Sequence, residues 1–210
     1  MSCTDTFIDL VFVLDSSGSI NDNTPDGAPV ENYDLLLNFV VSIVDELEIG
    51  PTATRVGLVL FSDIGEMIFP LDAYSEKSDL IEAILETKYV GGNTNTSGGL
   101  LIMQNEAFTT AMGDRANYAN VAIVITDGYS TYDNASTIPN AIAAREKGIE
   151  IMTVGITDDI NLNEVQMMSS APQLENINYF LSRNFEDLPV VVDTLVDQTC
   201  TNTGGKKGYG

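Results

Sequence analysis

Nothing constrains the fold of this chain more than the run Val121-Ala122-Ile123-Val124-Ile125, which contains no polar residue. A strand with one wet face alternates apolar and polar side chains, whereas a strand without alternation needs cover on both faces, as in a parallel sheet between two layers of helix. A second run of this kind, Phe7-Ile8-Asp9-Leu10-Val11-Phe12-Val13-Leu14, stands near the start and carries a single charge. The pattern predicts strands over 7–14, 55–61, 66–70, 121–126, 150–156 and 177–181, and helices over 32–48, 77–87, 97–111, 135–147, 163–169 and 185–198. In the first helix Leu35, Leu36, Phe39, Val40, Ile43, Val44 and Leu47 share one face, which leaves Asp34, Asp45 and Glu46 to water. Gly50-Pro51 ends that segment.

Such alternation predicts an α/β fold: a doubly wound, mostly parallel six-stranded sheet with right-handed crossovers and helices on both faces. Segment 66–70 is the exception, because only Ser62-Asp63-Ile64-Gly65 separates it from the strand before it. That is too short for a crossover, so it pairs antiparallel at a sheet edge. The 210 residues, 44% of them hydrophobic, supply one full core, assigned to a single domain over 1–200 with a polar, glycine-rich tail over 201–210.

Charge narrows the partners. With 31 acidic and 9 basic residues the net charge is −22, which repels nucleic acid and anionic lipid and favours cations or basic protein patches. No apolar run is long enough to cross a membrane, and the start has no signal-peptide pattern, so a secreted form would have had its signal removed. The two cysteines, Cys3 and Cys200, bracket the domain. If the first strand and last helix lie side by side, a disulfide between them would close a very long loop and contribute up to roughly 5 kcal/mol. Such a clasp would indicate an oxidising, extracellular compartment.

In doubly wound sheets ligands bind beyond the carboxyl ends of the strands, where strand order reverses. Asp15-Ser16-Ser17-Gly18-Ser19 follows the first strand and offers a carboxylate and two hydroxyls, hard ligands that suit Mg²⁺ or Mn²⁺ better than Zn²⁺. The loop Gly91-Gly92-Asn93-Thr94-Asn95-Thr96-Ser97-Gly98-Gly99 and the turn Thr126-Asp127-Gly128 bring further oxygens to the same rim.

These three pieces, in this order, resemble the von Willebrand factor type A domain, also called the I domain, whose metal-ion-dependent adhesion site bears the signature Asp-x-Ser-x-Ser. The resemblance covers residues 5–200 and implies a Rossmann-like fold and a metal site of Asp15, Ser17, Ser19, Thr94 and Asp127. It implies Mg²⁺, with Mn²⁺ or Ca²⁺ as substitutes, and a ligand position left for an Asp or Glu carboxylate of a protein partner such as collagen or another matrix protein. It further implies a secreted, matrix or cell-surface setting, with possible self-association inside a larger matrix protein. The last helix shifts in some relatives; a Cys3–Cys200 clasp would limit that motion here.

The sequence departs from the family pattern over residues 21–30, an acidic, turn-rich insertion that brings Asp22 and Asp26 beside the site. Asn95, Tyr129, Tyr132 and Asp133 complete the candidate partner-contact rim. Asn134-Ala135-Ser136 is a candidate N-glycosylation sequon at Asn134, while Asn95-Thr96-Ser97 matches the same pattern by chance. Catalysis is disfavoured. The chain has no His, its thiols sit at the ends, it has no phosphate-binding glycine loop, and the rim loops lack Lys and Arg. The reading is a cation-dependent adhesion module; its alternative is a structural matrix module that binds calcium, collagen or mineral through its acidic surface.

Overall fold

The computed structural model describes residues 7–21, 31–157 and 160–201. Cys3, Asp22, Asp26 and tail residues 202–210 lie outside them. Six strands form one sheet: β1 (Ile8–Asp15), β2 (Arg55–Phe61), β3 (Gly65–Phe69), β4 (Ala119–Thr126), β5 (Ile149–Ile156) and β6 (Tyr179–Ser182), in the order β3-β2-β1-β4-β5-β6. Every neighbouring pair is parallel except β2 with β3, the hairpin that the short connection requires. Among the described residues the α-helices are α1 (Glu31–Asp45), α2 (Lys77–Leu85), α3 (Thr96–Ile102), α4 (Asn134–Glu146), α5 (Leu162–Met168) and α6 (Val192–Thr201).

The central strand shows why an unbroken apolar run was needed. Ile8, Leu10, Phe12 and Leu14 enter one core, shared with Leu36, Val40 and Ile43 of α1, Leu80 of α2 and Leu195 of α6. Val11 and Val13 point the other way and pack with Leu100 of α3, Ala141 and Ala144 of α4 and Met168 of α5. Side chains alternate across a strand, so two covered faces demand apolar residues at every position.

Asp9 breaks that run and is wholly buried. Arg115 answers it: the backbone N–H and Nε of Arg115 donate to Asp9 at 2.7 and 2.8 Å, and an Arg115 terminal nitrogen lies 2.6 Å from Oδ1. The guanidinium also donates to the carbonyls of Ile8 and Pro51 and stacks on the Tyr118 ring at 3.4 Å. Burial holds the Asp9 carboxyl above its ordinary range even so, and the Arg115 hydrogen bonds work against that rise.

Some elements differ from the sequence pattern. The helix expected over 97–111 stops as an α-helix at Ile102, continues as a π turn over Met103–Ala107 and ends in a 3-10 turn, Thr110–Met112. Leu100, Met103 and Ala107 stay buried across the change, so apolar spacing does not register it. The last helix begins later than expected, after the 3-10 turn Leu188–Val191, because buried Phe185 belongs to the preceding loop. Met152 and Met168 fill the core, but Met167 is exposed. Strand order reverses at β1, which has β2 on one side and β4 on the other, so the carboxyl ends of β1 and β4 frame the crevice.

Candidate metal centre

Asp15 is the last residue of β1, not the first of the loop, and pairs in register with Phe61 of β2. Its side chain is wholly buried: Oδ1 accepts the Ser17 backbone N–H at 2.8 Å and Oδ2 accepts the Thr126 hydroxyl of β4 at 2.7 Å. Burial raises its carboxyl above the ordinary value, and the hydrogen bonds from Ser17 and Thr126 oppose that. A buried carboxylate without a cationic side chain among these partners is an anion waiting for a counter-charge.

The chain then turns through a 3-10 segment, Gly18–Asn21. Ser17 Oγ lies 3.1 Å from Ser19 Oγ, and Ser19 Oγ donates to Asp127 Oδ1 at 2.8 Å. The hydrogen bonds hold the two hydroxyls and the carboxylate each within hydrogen-bond distance of the next. Among the described residues no group of three or more Asp, Glu or Cys gathers to hold an ion. The candidate set offers two carboxylates and three hydroxyls, donors that suit a small hard cation.

The second loop is laced to the first. Gly91 N–H donates to the Ser16 carbonyl and Gly18 N–H to the Gly92 carbonyl, at 2.8 and 2.9 Å, while Val90 N–H donates to Ser16 Oγ. Gly91 and Gly92 have φ of 77° and 94°, left-handed values that a side chain would resist. The same loop is laced to the third: Thr94 N–H donates to Thr131 Oγ1, and the Thr94 carbonyl accepts the Thr131 and Tyr132 N–H groups at 2.9 and 3.2 Å. Thr94, Ser19 and Asp127 line a cavity of about 610 Å³ together with Tyr129, Phe185 and Glu186. Asp15 and Ser17 are wholly buried and are not among its lining residues.

A model of the von Willebrand factor type A domain family matches residues 9–194. The chain belongs to that family. As a von Willebrand factor type A domain it is 34% identical to the transmembrane cell adhesion receptor mua-3 of Caenorhabditis elegans, an alignment covering 94% of this chain and 5% of that protein. It is 35% identical to human matrilin-3, covering 92% of this chain and 40% of that protein. Proximal thread matrix protein 1 of the mussel byssus, solved with a zinc-occupied MIDAS motif, superposes with a TM-score of 0.82 at 28% identity, covering 95% of this chain and 47% of that one. The chain thus spans less than half the length of these relatives. Von Willebrand factor type A domains of matrix and adhesion proteins are its kin.

The rim residues divide. Tyr129 and Tyr132, 56% and 57% exposed, flank the cavity's third loop, and Asp133 and Asn134 are exposed beside them. Asn95 turns inward instead: it caps α3 by accepting the Gly98 N–H at 2.9 Å, and its amide donates to the Asp63 carbonyl. At 8% exposure it shapes the loop and offers little to a partner or a glycosylating enzyme. Sequence reasoning missed Thr126, which holds Asp15, and Thr131, which holds Thr94. Their place beside recognised ligands was the available signal.

Proposed function

We propose that this domain is a cation-dependent protein-binding module of an extracellular matrix or adhesion protein, and not an enzyme. The observation that carries the reading is the Ser17, Ser19 and Asp127 oxygen chain at 3.1 and 2.8 Å, joined to buried Asp15 through the Ser17 N–H, with Ser19 and Asp127 lining one cavity with Thr94. Asp15, Ser17, Ser19, Thr94 and Asp127 would hold Mg²⁺, directly or through water. Once bound, the ion supplies an electrophilic position for a carboxylate of a protein ligand, collagen or another matrix protein among them. With few carboxylates bound directly, the ion keeps positive charge to offer. The zinc-occupied relative supports divalent binding, and Mg²⁺ is our reading from the hard, all-oxygen donor set. Pairing of Cys3 with Cys200 belongs to the same proposal, in keeping with the absence of a free cysteine among the described residues.

The net charge of −22 supports a second reading, in which the acidic surface binds calcium, collagen or mineral and the centre is idle. Calorimetric titration with Mg²⁺, Mn²⁺, Ca²⁺ and Zn²⁺ separates the two, using wild type, Asp15→Ala and Asp127→Ala. One tight site lost in both variants is the expected result; many weak sites that both variants retain would reject the metal centre.

A further inference from the structure

Behind the cavity lies a buried polar junction that the metal reading leaves unexplained. Glu164 of α5 is 8% exposed, and its Oε1 accepts two hydrogens from Ser130, the hydroxyl at 2.5 Å and the N–H at 3.3 Å. Ser130 Oγ is also bonded to Thr96 Oγ1 at 2.8 Å and to Thr137 Oγ1 at 3.2 Å. All three hydroxyl residues are buried. Thr96 opens α3 just after Thr94, Ser130 follows Asp127 on the third loop, and Thr137 belongs to α4. One carboxylate thus gathers four segments, two of which each carry a proposed metal ligand.

A buried carboxylate is costly unless its bonds repay the loss of water, so an apolar residue would serve mere packing better. What the acid adds is direction. Its two bonds fix the backbone and hydroxyl of Ser130, and Ser130 in turn fixes Thr96, so the loops bearing Thr94 and Asp127 are referred to one anchor on α5. We infer that Glu164 is a positioning residue for the metal centre, acting through Ser130, Thr96 and Thr137 to hold the Thr94 and Asp127 loops in mutual register. The inference rests on the metal-binding reading of that centre. Outer partners of metal ligands commonly set affinity by 10–100-fold without touching the ion.

The test compares wild type with Glu164→Leu, Glu164→Gln and Ser130→Ala. Two readouts are taken: Mn²⁺ affinity, and hydrogen exchange of the Thr131 and Tyr132 amides in metal-free protein, both of which donate to the Thr94 carbonyl. Glu164→Leu and Ser130→Ala should speed exchange of those two amides and weaken Mn²⁺ binding about 10–100-fold. Glu164→Gln keeps an oxygen acceptor for Ser130 and should restore both readouts most of the way. If the Leu and Ala variants lose thermal stability yet keep wild-type exchange at Thr131 and Tyr132 and wild-type affinity, Glu164 is packing and the inference falls alone. A wild type that binds no Mn²⁺ overturns the metal reading, and this inference with it.

Discussion

Replacing Arg115 with Met removes the charge that answers Asp9 while keeping much of the apolar stem. At 2.6 Å the pair attracts by about 6 kcal/mol at an effective dielectric near 20, but desolvating both ions costs several kcal/mol each, so the intact pair contributes little net stability. Removing one partner is different. Asp9 is wholly buried, so Arg115→Met strands a carboxylate that keeps the backbone N–H of residue 115 but loses both guanidinium contacts, at a cost of about 3–5 kcal/mol. With a urea slope of about 2–3 kcal/mol/M for a domain of this size, the unfolding midpoint at neutral pH should drop by roughly 1–2 M. Asp9 already has a raised carboxyl pKa in the folded state, and losing Arg115 raises it further. The folded protein then binds the proton more tightly than the unfolded chain. The penalty is therefore absent below the unfolded carboxylate value and appears as pH rises toward the folded one. Urea melts at about pH 7 and about pH 3.5 should show a large deficit in the first and a small one in the second. The variant Asp9→Leu with Arg115→Met should recover most of the loss. A single-variant cost below about 1 kcal/mol, or one that acid leaves unchanged, would refute the reasoning.

Gly65→Ala should destabilise the domain by about 1–3 kcal/mol in thermal melts, because a Cβ there would sit 2.3 Å from the Gly98 carbonyl oxygen where α3 crosses β3; a neutral change would mean that the two elements can part freely. Burial raises the Asp15 carboxyl, so protons should compete with the cation at pH values above the ordinary carboxylate range. Mg²⁺ affinity should therefore fall as pH is lowered, beginning above the ordinary carboxylate range, and a flat profile by calorimetry would count against Asp15 as a ligand. Reduction should lower the melting temperature if Cys3 and Cys200 are joined, and unchanged melting would remove the clasp.

The sheet was legible because its information is local. Val121 to Ile125 announces cover on both faces, and the three residues between β2 and β3 admit nothing but a hairpin. The candidate metal residues drew notice for another reason: they stand on three short stretches, each at the carboxyl end of a strand or ahead of a helix. What escaped depends on contacts between distant segments. Asp9 finds Arg115 across more than a hundred residues, and Glu164 reaches Ser130 from the far side of β5. Neither pairing leaves a periodicity to read. Asn95 looked like a surface residue from its polarity, yet capping α3 draws it inward. The π turn at Met103–Ala107 preserves the burial pattern of the helix it interrupts, so the pattern was silent about it.

The placement of Asp15 inside β1 couples assembly to competence. Asp15 shares its face of the strand with Val11 and Val13, opposite Leu10, Phe12 and Leu14. A slip of one residue would exchange the two faces, forcing Phe12 into a space shaped for valines as it swung Asp15 away from Thr126. The same error would spoil packing and ligand geometry together. A population of this domain should accordingly contain few well-folded molecules with a malformed centre, and protease resistance becomes a proxy for the fraction able to take up a cation.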